Sequence, residues 1–265
     1  MLKNPCNNWN RVTIPQFIEL YPLEPIEFKS DDERNIHFLS ILNDIPPEEI
    51  EEFDYNDYNN AIESLLFVNK FPIKAPKLSI STPAGILYLM DDLNQITIGE
   101  FIDLENLFTQ GYIKNLQVIL AILYRQKEIK NSLLYLDTFE EYGDWIYHRT
   151  SLFDDITVND VYGIIPKYLS FRTNLYDKYQ GLFDDNATNS NEESDEELII
   201  SNETITSRSE RIKEEQRNKN LSKWNWDFFL YKLSKEDPTK LIESTKMSLL
   251  QALNILSMRK ELSIE

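Results

Sequence analysis

The chain has 265 residues, 42% of them hydrophobic and 12% aromatic, and carries 45 acidic against 27 basic side chains for a net charge of −18. A chain of this size can hide roughly 70–75% of its unfolded surface, and with this apolar content wholesale disorder is excluded and no metal or disulfide staple is needed. The charge argues against general nucleic-acid binding, which works through Lys and Arg displacing condensed counterions, and the single cysteine, Cys6, excludes a disulfide framework.

Residues 1–8 read as a loose, Asn-rich arm. Val12-Thr13-Ile14-Pro15-Gln16-Phe17-Ile18-Glu19-Leu20 then predicts a short helix, with Thr13 as N-cap and Pro15 in a first turn where its missing N–H costs nothing. Asp31–Leu42 predicts a second helix, its leading acids complementing the N-terminal dipole. Pro46-Pro47-Glu48-Glu49 opens a third that ends near Phe53, and Asp54–Val68 gives a fourth with Tyr58, Ile62, Leu65 and Leu66 on one face. Pro72 and Pro76 keep the next stretch extended.

The segment from Leu78 to Tyr124 organises the rest. Leu78–Met90 alternates around Pro83-Ala84-Gly85 and predicts a β-hairpin. Ile96-Thr97-Ile98-Gly99-Glu100 follows, with Thr97 and Glu100 at capping-box spacing, and Phe101, Ile102, Leu104, Leu107 and Phe108 recur at helical intervals. Leu116–Tyr124 is too apolar to face water and about half the length that crosses a bilayer, so it predicts a buried helix. Thr97–Leu104 echoes Thr13–Leu20 at a separation of 84 residues: Thr, Ile, Phe, Ile and Leu are identical. One echo is not a solenoid period, and it reads as the same helix start used twice.

Beyond it, Asp137 and Glu140 again have capping-box spacing, ahead of Phe139, Tyr142, Trp145 and Ile146. Thr157 with Asp160 starts a helix to about Tyr179, in which Pro166 predicts a kink or two abutting helices. Asp184–Glu197 holds seven acids and no base, the composition of a flexible linker. Lys223–Tyr231 restores hydrophobicity, Asp237-Pro238 opens the last helix, and Leu241, Ile242, Met247, Leu249, Leu250, Leu253 and Leu256 give a tail that must dock on the chain or on a partner. The expected architecture is mainly α: a multi-helix core domain at 1–183 with a hairpin near 78–90, an acidic flexible linker at 184–207, and a C-terminal helical segment at 208–265.

Chemistry is scarce. His37 and His148 are too few for a His-rich metal site, and Cys6 has no nearby base. The acid pairs Asp31-Asp32, Asp91-Asp92 and Asp154-Asp155 precede predicted helices, where negative charge is favourable without catalysis. P-loop, dinucleotide, zinc and nucleophile-elbow patterns are absent from the sequence. No catalytic, cofactor or metal residues are expected, and no apolar run reads as a signal peptide or membrane span, so the expectation is a soluble, cytoplasmic, non-enzymatic protein. Trp224 and Trp226 stand out, as core anchors or as a partner-binding hot spot together with Phe228, Phe101 and Leu104.

The Thr97–Leu104 helix start, the apolar Asn115–Arg125 segment, and the tail with Trp224-x-Trp226 and Asp237-x-x-Lys240 together resemble small virion-morphogenesis proteins of tailed bacteriophages, in particular tail assembly chaperones. The resemblance covers residues 78–180 and 222–258. It implies a helical protein of the host cytoplasm, without cofactors, that binds another phage structural protein such as a tape-measure protein before assembly. It carries over no catalytic residue. The acidic stretch between the two blocks departs from the pattern. Two rivals are a structural subunit of the virion and an acidic DNA mimic, the latter needing rows of carboxylates spaced like phosphates.

Overall fold

The structure is a computed structural model that describes residues 5–22, 26–129, 137–183, 226 and 229–262. It is mainly helical. In chain order come α1 (Ile14–Leu20), α2 (Asp31–Asn43), α3 (Pro47–Glu51), α4 (Tyr55–Ser64), β1 (Ser79–Thr82), β2 (Gly85–Leu89), α5 (Ile98–Thr109), α6 (Leu116–Leu123), β3 (Tyr124–Arg125), β4 (Lys127–Ile129) and β5 (Asp137–Phe139). Then follow α7 (Val158–Val161), α8 (Ile164–Lys178), α9 (Gln180–Phe183), α10 (229–233), α11 (Leu241–Thr245) and α12 (Leu249–Glu261).

The chain divides into two compact units that interleave in sequence: Met1–Asp91 with Gly111–Tyr168, and Asp92–Gln110 with Leu169–Glu265. This is a different division from one at residue 183, because α5 belongs with the C-terminal helices. The expected acidic linker at 184–207 lies outside the described residues.

Each unit is organised by a pair of helix starts laced together. In the first, Thr13 and Thr157 form an isolated antiparallel bridge. The Ile14 amide donates to the Ile156 carbonyl at 3.2 Å, and the Val158 amide donates to the Val12 carbonyl at 2.9 Å. In the second, Thr97 and Ser248 form the same bridge. There the Ile98 amide donates to Met247 at 2.9 Å and the Leu249 amide to Ile96 at 3.0 Å.

The physical logic is one of orphaned donors. The first amides of a helix have no partner within it. Here the first amide of α1, α5, α7 and α12 is taken by the opposing segment. In α1 and α5 a capping box satisfies two more: Thr13 with Gln16, and Thr97 with Glu100. Val12, Ile14, Ile96, Ile98, Val158 and Leu249 are all fully buried, so the lacing runs through apolar interior where an unpaired amide would be costly. The echo seen in the sequence therefore marks a shared device, and each copy has a second strand-like start that the echo did not reveal.

The hairpin forms as expected, with Ser79 opposite Tyr88 and Thr82 opposite Gly85, leaving Pro83-Ala84 as the turn. Gly85 has a φ of +118°, which L side chains rarely adopt. Ile80, Leu87 and Leu89 point inward. β3 pairs with the far side of β2 and completes a three-stranded antiparallel sheet. The buried helix α6 runs directly into it, and the Tyr124 hydroxyl donates to the Lys77 carbonyl at 2.7 Å.

Four expectations are corrected. The helix expected after Asp137 is instead strand β5 followed by a 3-10 helix at Asp144–Phe153. Glu140, which would have capped it, gives its carboxylate to Arg149 and to the Gln126 amide. The fourth helix stops at Ser64 and continues as a 3-10 turn at Leu65–Asn69. The last helix is broken at Lys246–Ser248, where the backbone leaves helical geometry to bridge with Thr97. Finally, Cys6 does not sit in a loose arm: it is buried, and its amide donates to the Asn43 side chain at 2.9 Å. Near Pro166 the break falls earlier, at Tyr162-Gly163, so the proline lies in the first turn of α8 where it is tolerated.

Candidate functional site

Of the residues singled out in sequence, Phe101, Leu104 and Trp226 fall inside the second unit. Phe101 and Leu104 on α5 are fully buried, and Trp226 is 7% exposed. The Trp226 and Phe101 rings meet edge to face, 5.0 Å between centroids. Leu249, Ala252, Leu253 and Leu256 of α12 are buried as well, and α12 packs on α5. The apolar tail thus docks on α5. These faces serve the unit's own core, and a partner could reach them only if the unit opened. Trp224 and Phe228 lie outside the described residues.

An apolar groove open to solvent lies in the first unit. Trp9, Phe67, Lys70, Phe71, Pro72, Ile73, Lys74 and Asn159 line this groove of about 410 Å³. Its floor is built by aromatic packing. Trp9 meets Phe67 edge to face at 4.8 Å and Phe17 at 5.5 Å; Phe71 stacks on Tyr162 at 5.6 Å and lies 5.2 Å from Tyr21. The Trp9 indole N–H donates to the Lys70 carbonyl at 2.7 Å, so the segment that forms one wall is tied to the floor. The Tyr112 and Tyr162 hydroxyls share a hydrogen bond of 3.1 Å beneath it, and burial pushes both phenols above their ordinary value. A floor of this kind is preformed rather than assembled on contact.

The rim carries the exposure. Ile73 is 96% exposed. Ile73 stands in solvent next to the half-buried Phe71 in sequence, and residues 74–76 then pass over Gly163. A Cβ there would lie 2.2 Å from the Lys74 carbonyl oxygen, so only glycine lets the wall come this close. Below it, Asp160 accepts from Lys77 at 2.7 Å and lies 3.5 Å from Lys74. Burial opposes ionisation of Asp160, but the two ammonium groups override it and hold its carboxyl below the ordinary value. Sequence reasoning assigned Leu65 and Leu66 to a helix face and passed over Phe67 and Phe71. The available signal was density: Leu65–Val68 with Phe71 and Ile73 is more apolar surface than one short helical face can bury.

A second, polar cleft of about 650 Å³ lies in the same unit, lined by Ala84, Glu140, Glu141, Trp145, His148, Arg149 and Leu152. Arg149 forks onto the Glu140 carboxylate and stands 4.0 Å over the Trp145 ring. The two charges satisfy each other, and the lining holds no Ser, Thr or Cys nucleophile. His37 packs against Phe28 and Phe38. Among the described residues no group of three His, Cys, Asp or Glu is placed to hold a metal ion, and no helix is long and apolar enough to cross a membrane. No family model, curated protein or solved structure matches the chain.

Proposed function

We propose that this chain is a non-enzymatic assembly protein of a tailed bacteriophage, one that holds an aggregation-prone tail component, tape-measure-like in character, until the component is built into the particle. The observation that carries the reading is the preformed apolar groove of Trp9, Phe67 and Phe71 with Ile73 standing open at its rim. A rigid apolar groove is how many proteins accept an amphipathic segment of another polypeptide. An excess of negative charge keeps such a holder soluble while its cargo is not. The resemblance of residues 78–180 and 222–258 to tail assembly chaperones supports the same reading.

The test is co-expression of the full chain with the tape-measure-like protein of the same phage. The holder reading expects the tail protein to shift from the insoluble to the soluble fraction in complex with this chain, and the chain to be absent from purified mature particles. A stoichiometric presence in particles would make it a structural subunit instead. A tail protein equally insoluble with and without the chain would overturn the reading.

A further inference from the structure

The groove has a charge as well as a shape. Two of its lining residues, Lys70 and Lys74, are basic and none is acidic, in a chain whose net charge is −18. Lys77 adds a third ammonium beside it, and its tighter contact with Asp160 leaves Lys74 the looser partner, with 52% of its side chain exposed. Lys70 makes no ion pair among the described residues. The lining of the groove thus carries a charge opposite in sign to that of the chain as a whole, with Asp160 offsetting one of the three ammonium groups. Resting on the reading above that the chain holds another polypeptide, we propose that this groove takes an acidic, apolar-anchored peptide segment: large aliphatic or aromatic side chains seated between Ile73 and the Trp9–Phe67 floor, flanked by carboxylates that meet Lys70 and Lys74.

The recognition divides into two parts. Seating an apolar side chain against Phe67, Phe71 and Ile73 supplies the affinity, since the groove is already formed and little ordering is needed on this side. The lysines supply choice of partner and rate of encounter, because charges at a rim steer association more than they hold it. A basic segment would be rejected by Lys70 and Lys74, although the rest of the acidic surface would attract it. Such an arrangement selects against the nonspecific basic partners that a protein of this charge otherwise gathers.

The experiment selects a displayed random-peptide library on the immobilised full-length chain and measures the enriched peptides by fluorescence anisotropy. The expected result is enrichment of aliphatic or aromatic anchors beside Asp or Glu, with binding weakened by added salt. Lys70→Glu with Lys74→Glu should weaken the selected peptides tenfold or more, and so should Ile73→Ser. Ile73 faces solvent, so thermal melting of Ile73→Ser should match the parent. Lys74→Glu gives up its contact with Asp160, so the double variant should melt slightly lower while staying folded. Lys70→Glu alone, at a residue with no ion pair among the described residues, should melt as the parent and still weaken the selected peptides. Enrichment of basic or uncharged sequences, no enrichment, or indifference to Ile73→Ser each overturns the proposal. Self-association of the chain that Ile73→Ser abolishes overturns it too, in favour of a second copy as occupant. Failure of the site is distinct from failure of the function: a tail component still held at full strength by the Lys70→Glu, Lys74→Glu variant leaves the holder reading intact and removes the groove from it.

Discussion

Gly163→Ala tests how the groove wall is built. Glycine 163 lies at the junction of α7 and α8, under the extended residues 74–76. An added Cβ would stand 2.2 Å from the Lys74 carbonyl oxygen, 2.9 Å from Pro76 Cδ and 3.0 Å from Pro76 N. All three atoms belong to backbone or to a proline ring, so none can rotate away. Either the wall lifts or the junction shifts. Lifting would strain the 2.7 Å hydrogen bond from the Lys77 amide to the Asp160 carbonyl. Overpacking costs about 1–3 kcal/mol and a lost backbone hydrogen bond about 1 kcal/mol, so a loss of about 2–4 kcal/mol is expected. Gly181 in α9 is the control, because nothing lies within 4 Å of its added Cβ. Gly181→Ala should leave stability unchanged or raise it by up to about 1 kcal/mol, as the helix propensities require. Urea denaturation followed by tryptophan fluorescence reads both. A Gly163→Ala variant within about 0.5 kcal/mol of the parent would refute the close approach.

The remaining predictions concern the lacing, the core and acid stability. Glu100→Gln should be tolerated, because Gln16 plays the same capping part toward Thr13, with its side-chain oxygen accepting the Thr13 amide at 3.0 Å; Thr97→Ala should cost about 1 kcal/mol in chemical denaturation. Trp226→Ala removes a ring packed on Phe101 and should cost about 3–5 kcal/mol, read as loss of near-ultraviolet circular dichroism. Asp160→Asn should lower stability at neutral pH by up to about 1 kcal/mol, given how exposed its lysine partners are. Because the Asp160 carboxyl is depressed in the folded state, its contribution is present above the ordinary carboxylate value of 3.8 and is lost as pH falls through the lowered one. Melting temperatures of parent and variant should therefore differ at neutral pH and converge in strong acid.

Local signals were the legible ones. Thr13 and Thr97 carry their capping partners three residues on, so the starts of α1 and α5 are written in adjacent side chains. The turn at Pro83–Gly85 and the all-apolar α6 are legible for the same reason. What stayed hidden is long-range. Ile156-Thr157-Val158 and Met247-Ser248-Leu249 share only an apolar–hydroxyl–apolar pattern, and nothing local says that each pairs with a segment more than a hundred residues earlier. The same blindness led the last helix to be read as continuous, since the break at Lys246–Ser248 is imposed by its partner, not by its own residues. Glu140 illustrates the reverse case. Its capping-box spacing is genuine, but Arg149 and the Gln126 amide compete for the carboxylate and win. The hot-spot candidates followed hydrophobicity, which marks Phe101, Leu104 and Trp226 as apolar without saying whether a core or a partner takes them. Ile73 was passed over because the path of its segment is set by a contact distant in sequence, the approach of Lys74 and Pro76 to Gly163.

Native-state hydrogen exchange of single amides tests most directly whether two laced pairs of helix starts hold the two units. First-turn amides ordinarily exchange early, since no carbonyl of their own helix receives them. The account predicts that Ile14, Val158, Ile98 and Leu249 exchange with the slowest class, together with buried α6, while Asp31 and Asp32 at the open start of α2 exchange fast. Exchange of those four amides as fast as at the start of α2 would contradict it.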